Sequence, residues 1–176
     1  MTSSRKKVLL RDLEGNLRAG YLPLQRFVRA DLRTSAAVVE LLDLEGRVVP
    51  VPLVEQKWIV WVRDWNLNDR DDPERLMRRT FLARPRTEGL WVRIGFSAGD
   101  CLEGMAALDV SLLDSIGEDR GLFLMPPDIR TNTQRVFVPR SAMKTLDVLA
   151  VVTSPSKKKA APALKEFSSG TLFPET

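Results

Sequence analysis

The chain has no histidine, one cysteine and one tyrosine among 176 residues. Without histidine, the commonest general base and the commonest neutral metal ligand are both missing. Ser-His-Asp and Cys-His catalytic arrangements cannot be built, and zinc sites of the Cys/His kind are excluded. The lone thiol, Cys101, cannot form an internal disulfide, which fits a reducing compartment. It falls inside an expected strand and reads as a small buried side chain. No apolar stretch approaches the length of a membrane helix, and the charged start carries no signal-peptide pattern. The sequence therefore points to a cytoplasmic protein with no membrane role, no metal and no cofactor.

Net charge is +4, but its location matters more than its size. Arg5, Lys6 and Lys7 lie at the start, and Lys157, Lys158, Lys159 and Lys165 near the end. Without these seven and the acids Glu166 and Glu175, residues 8–152 hold 20 basic and 21 acidic side chains. A nearly neutral body argues against a broad nucleic-acid face, because such affinity rests on neutralising phosphates.

What is present is self-similarity. Val8-Leu9-Leu10 through Gly15 to Gly20-Tyr21 resembles Val92-Arg93-Ile94 through Gly99 to Gly104-Met105, at an offset of 84 residues. Val49-Pro50-Val51-Pro52 and Lys57-Trp58-Ile59 match Val136-Phe137-Val138-Pro139 and Lys144-Thr145-Leu146 at an offset of 87. Three extra residues fall within 126–133. Two matched blocks in the same order indicate a duplication.

Each copy reads as a β-unit with Gly-containing hairpin turns at Glu14-Gly15-Asn16 and Ala98-Gly99-Asp100. Strands are expected over 6–13, 17–24, 36–43, 47–53 and 57–63, and again over 90–97, 101–108, 121–126, 134–139 and 144–151. The fold expected is mainly β: two tandem five-stranded antiparallel barrels, at 1–63 and 90–152, joined by a linker at 64–89 with a short helix. Asp72-Pro73-Glu74 carries the helix-start signals, with Leu76, Met77 and Phe81 as an apolar side. Residues 153–176 are rich in Ser, Pro, Lys and Ala and are expected to form a disordered tail.

A unit of some 60 residues buries only about 60% of its unfolded surface, so the copies should pack together. In the second copy, Leu146 and Val148 alternate with Thr145 and Asp147 and should face inward. Their matches are Ile59 and Trp61, which puts Trp58, Val60 and Val62 on the other face of the first copy. That apolar row should be covered by the second barrel, the linker helix or another chain.

The order of a strand, a Gly turn, a second strand and a hydrophobic closing strand resembles the Sm-like and SH3-like small barrels. Lys7–Gly20 with Val48–Val62, and Leu90–Gly104 with Arg135–Leu149, are also similar to an uncharacterised bacterial family of Acidobacteria type, whose copies carry a "DG" turn and a "VFVPRSAL" segment. That resemblance implies a tandem barrel with no activity attached. Sm-like relatives often bind single-stranded RNA, but neither closing strand here carries an Arg-Gly segment. A weaker resemblance links Arg75-Leu76-Met77-Arg78-Arg79 and Asp109-Val110-Ser111-Leu112-Leu113-Asp114 to PilZ domains, which bind cyclic di-GMP. Asp114 stands where that motif has Gly, placing a negative charge near an anionic ligand.

Four further features bear on function. Asp64-Trp65-Asn66-Leu67-Asn68-Asp69 starts like a calcium loop but has Asp69 in place of the Gly and Arg75 in place of the bidentate Glu, so it reads as a hydrated linker. Trp58, Trp61, Trp65 and Trp91 gather between the copies and, with Val60 and Val62, read as packing or interface anchors. Arg75, Arg78, Arg79, Arg84 and Arg86 form the dense basic patch of the body, a candidate for an RNA backbone or a nucleotide. In the tail, Leu164, Phe167, Leu172 and Phe173 return apolar character after the lysines and could join a sheet edge or a partner's groove. The leading expectation is a non-enzymatic module binding a protein or peptide. The alternative is RNA or cyclic-dinucleotide binding through the basic patch, and homo-oligomerisation is left open.

Overall fold

The computed structural model describes residues 5–24, 26–30, 36–69, 71–109, 120–127 and 132–153. Eleven strands follow in order: β1 (Arg5–Asp12), β2 (Leu17–Pro23), β3 (Val28–Ala30), β4 (Ala37–Leu42), β5 (Val48–Pro52), β6 (Gln56–Val62), β7 (Gly89–Gly95), β8 (Cys101–Ala106), β9 (Gly121–Leu124), β10 (Thr133–Pro139) and β11 (Thr145–Val152). Ten lie within two residues of the ranges expected from alternation and turn signals; β3 is additional. Single 3-10 turns at Leu53–Glu55 and Arg140–Ala142 follow β5 and β10.

Every named ladder is antiparallel, and the same pairings recur in both halves. β1 pairs β2 as β7 pairs β8. β2 meets β4 at Tyr21–Leu42 as β8 meets, through the isolated bridge Met105–Met125, the residue just past β9. β4 pairs β5 as β9 pairs β10, and β6 pairs β1 as β11 pairs β7. The glycines five apart have separate jobs in each half. Gly15 and Gly99 sit in left-handed turns at φ of 93° and 86°, a conformation L side chains resist. Gly20 and Gly104 lie under the neighbouring strand, where a Cβ would come 2.5 Å from the Leu42 carbonyl oxygen and 2.7 Å from the Leu124 Cβ.

The two expected barrels do not close. β5 and β6 are joined through a 3-10 turn rather than a ladder, and β6 instead pairs β10 of the other half. The result is one eight-stranded sheet, ordered β3-β4-β2-β1-β6-β10-β9 with β5 on β4, and a second sheet, β11-β7-β8. The physical reason is that β6 is apolar on both faces. Ile59 and Trp61 join Val8, Leu10, Leu22, Val39 and Phe137 in one core cluster. Trp58, Val60 and Val62 join Val92, Ile94, Leu102, Val136 and Val138 in the other.

The expected linker helix is also absent. Asp72 Oδ1 does accept the Leu76 N–H at 3.2 Å, and its carbonyl accepts the Arg75 N–H at 3.0 Å. Arg75 then turns to φ 52°, left-handed backbone that a helix does not tolerate, and the segment continues as irregular chain with bends up to β7. Leu146 and Val148 are not buried: they are 47% and 59% exposed. By register they stand opposite Ile94 and Val92, so they share the core-facing side, but among the described residues β11 is an edge strand and nothing covers that side. No helix among the described residues is long and apolar enough to cross a membrane.

Candidate functional site: an open strand edge and its surroundings

The four tryptophans do not form one seam. Trp58 packs edge-on against Phe96 at 5.6 Å, while Trp61, on the opposite face of β6, meets Phe27 at 5.2 Å and Phe123 at 5.5 Å. Trp65 meets Tyr21 at 4.9 Å and donates Nε1–H to the Val8 and Gly20 carbonyls at 3.1 and 3.2 Å. Trp91 meets Phe81 at 5.9 Å. Trp58 and Trp61 are fully buried, as are Val60 and Val62, so these are core side chains and present no face to a ligand.

Two buried carboxylates pin the extended linker across both halves. Glu74 accepts Arg11 Nε at 2.6 Å and Nη2 at 2.7 Å, with Trp58 Nε1–H at 3.3 Å. Its backbone carbonyl accepts the Thr133 hydroxyl at 2.8 Å. Glu103 on β8 accepts the Phe81 N–H at 2.9 Å, Trp91 Nε1–H at 3.2 Å and Arg93 at 2.7 and 3.0 Å. Burial alone would push the Glu103 carboxyl up, but hydrogen bonds from the Phe81 N–H, Arg93 and Trp91 outweigh it and hold the carboxyl below its ordinary value. Both acids are saturated by donors, the arrangement of structural anchors rather than of a poised acid–base pair. Neither stood out in the sequence as a site; Glu74 read only as part of a helix start.

The basic patch is partly consumed. Arg79 Nη1 bonds Asp100 Oδ2 at 2.8 Å, an oxygen shared with Lys57 Nζ at 2.7 Å, and its guanidinium lies over Trp58. Arg75 lines an open recess of about 600 Å³ with Asp64, Asn66 and Asp69. Arg78, Arg84 and Arg86 are exposed, and no acid among the described residues lies within ion-pair distance of them. In the calcium-like stretch, Asp64 is held by Lys7 at 3.0 Å and Asp69 accepts the Asp72 N–H at 3.2 Å. Among the described residues no group of three or more acidic, histidine or cysteine side chains is placed to hold a metal. Cys101 is a half-buried free thiol in β8. Residues 110–114 of the PilZ-like motif and Leu164, Phe167, Leu172 and Phe173 of the tail lie outside the described residues.

Two surface features remain. A cavity of about 240 Å³ is lined by Met105, Phe123, Met125 and Arg135 among others. Arg135 stacks over Phe123 at 3.8 Å, and burial pushes its guanidinium down from its ordinary value. The larger feature is β11. Among the described residues it has a ladder on one side only, against β7, and beside its other edge Leu146, Val148 and Val151 stand 47%, 59% and 52% exposed. An unpaired edge flanked by apolar side chains is a template for strand addition.

No curated protein and no solved structure matches the chain. Over residues 4–150, which span β1 to β10 and most of β11, the chain does match a family described as one of unknown function, DUF6982, and it belongs to that family.

Proposed function

We propose that this chain is a non-enzymatic interaction module, built from a duplicated antiparallel β-unit, that takes an extended segment of a protein or peptide partner along the free edge of β11. The observation that carries this reading is the contrast between β6 and β11. Each pairs its own first strand, β1 or β7, but among the described residues only β6 has a second neighbour, β10. The edge of β11 offers backbone groups for affinity and Leu146 and Val148 for side-chain selection. The lone cysteine supports a reducing compartment, and we place the protein in the cytoplasm.

The probe that tests this is a labelled peptide carrying residues 132–140 of this chain, the β10 sequence, titrated into protein ending at Thr153. Saturable binding that is lost in Leu146→Lys/Val148→Asp supports the reading. Absence of binding, or binding indifferent to that double substitution, overturns it.

A second reading, RNA or cyclic-dinucleotide binding, draws support from Arg78, Arg84 and Arg86, which are exposed without acidic partners among the described residues. It assigns those three arginines to phosphate contacts.

A further inference from the structure

The cavity beside β9 holds a cation that the fold leaves without an anion. Glu88, Met105, Phe123, Met125, Gln134 and Arg135 are among the residues lining its 240 Å³. Arg135 stands opposite Trp61 in the β10–β6 ladder, is half-buried, and lies with its guanidinium 3.8 Å from the centre of the Phe123 ring. Among the described residues no carboxylate comes within ion-pair distance of that guanidinium; Glu88, on the same lining, is exposed and beyond it. Burial pushes Arg135 below its ordinary value, and the charge of Asp109 only partly opposes the shift. The guanidinium thus carries a desolvation cost without the bound anion that usually offsets it.

The other half of the duplication shows that the architecture does not demand this arrangement. By the offsets of 84 and 87 residues, Met105 corresponds to Tyr21 and Arg135 to Val48. The pairings Val136–Leu124 and Val49–Leu41 make Phe123 the counterpart of Glu40, and Met125 that of Leu42. In the first half Val48 is 54% exposed, Glu40 pairs with Arg29 at 3.2 Å and Tyr21 packs on Trp65. The same strands form there with no cation over a ring. The second half brings a cation, a ring and two thioethers around one hollow.

The walls set the chemistry of an occupant. A guanidinium stacked on a ring keeps the N–H donors at its rim, in the fork that matches both oxygens of a carboxylate. Methionine side chains are unbranched and polarisable, so Met105 and Met125 can adapt to a small apolar body. The 240 Å³ available falls below the roughly 300–1,000 Å³ of drug-sized pockets. At about 30 Å³ per water it corresponds to about eight waters, the size of an organic acid of six carbons. An inorganic anion would leave the apolar wall unused.

We propose that this cavity binds a small monocarboxylate with an apolar body, its carboxylate held in two hydrogen bonds by Arg135 and its hydrocarbon part against Phe123, Met105 and Met125. The site lies on other strands than β11 and does not rest on the strand-docking reading.

Hexanoate titrated into the full chain with isotope-labelled methionine methyls tests it. The Met105 and Met125 methyl signals should shift saturably with a Kd of about 1 mM or tighter, while the signal of the exposed Met77 stays in place. Hexanamide keeps the body without the charge and acetate keeps the charge without the body, so each should bind about tenfold more weakly or worse. Arg135→Met should weaken hexanoate about tenfold; Arg135→Lys, which keeps the charge but not the fork, should weaken it less and serves if the methionine variant does not fold. Arg84→Ala should leave the affinity unchanged. Absence of a saturable shift, equal binding of hexanamide or acetate, or full affinity in the Arg135 variants overturns the proposal. Binding of a peptide with a free C-terminal leucine, but not of hexanoate, overturns it as well, because the ligand is then the end of a protein partner.

Discussion

Arg11 and Glu74, 63 positions apart, meet through two charge-assisted hydrogen bonds at 2.6 and 2.7 Å, and this pair fastens the linker to β1. Glu74 is 2% exposed and Arg11 17%, so the two charges have left water together. Bidentate geometry and the Trp58 N–H offset the desolvation that such burial carries.

Removing one partner should therefore cost more than removing both. Glu74→Leu leaves Arg11 without its acid and should lose about 3 kcal/mol of unfolding free energy, whereas Arg11→Met/Glu74→Leu should lose clearly less. Urea denaturation of the two variants checks this. Equal losses would mean that the pair is not an interdependent unit.

Trp58 and Trp61 should respond differently to the same substitution. Trp58 Nε1–H bonds Glu74, while Trp61 Nε1–H is buried with no hydrogen-bond partner among the described residues. Trp58→Phe removes a bond to a charged acceptor, and Trp61→Phe removes an unmet donor, so Trp58→Phe should be the more destabilising by about 1 kcal/mol. Thermal or urea unfolding of the pair decides it.

Glu103 makes stability pH-dependent on the acid side. Its carboxyl is held below the ordinary 4.5 in the fold, despite burial, by the Phe81 N–H, Arg93 and Trp91. A depressed folded value means that the unfolded chain binds the proton more readily. Its contribution is complete above the unfolded value and is lost as pH falls through the folded one. Glu103→Gln should be less stable at pH 7 yet flatter below pH 4.5. An unchanged acid limb would show that Glu103 does not supply it.

The exposed arginines separate the two functional readings. If the edge of β11 is the site, purified protein at modest salt should show the absorbance ratio of protein alone. Retained nucleic acid that disappears with added salt, and in Arg78→Ala/Arg84→Ala/Arg86→Ala, would place the phosphate-binding reading first.

Much of the β-structure was legible because period-2 alternation and turn glycines are local signals. Gly15 and Gly99 mark turns through backbone freedom, and Gly20 and Gly104 mark strands that approach closely. What crosses between the halves was less legible. The apolar residues on both faces of β6 announce burial on both sides without saying that β10 is the neighbour that merges the sheets. Asp72-Pro73-Glu74 reads locally as a helix start, but the long-range grip of Arg11 on Glu74 and the left-handed Arg75 take the chain elsewhere. Leu146 and Val148 alternate correctly for the core side. Alternation gives a residue's face and not whether anything lies over it. The saturated acids were equally hidden, since their donors come from distant positions such as Arg11 and Phe81.

The prolines of β5 limit how such molecules can join. A rim deprived of N–H groups at Pro50 and Pro52 cannot accept the β11 edge of a neighbouring molecule in the way β10 accepts β6, so head-to-tail joining of molecules through β5 and β11 is disfavoured.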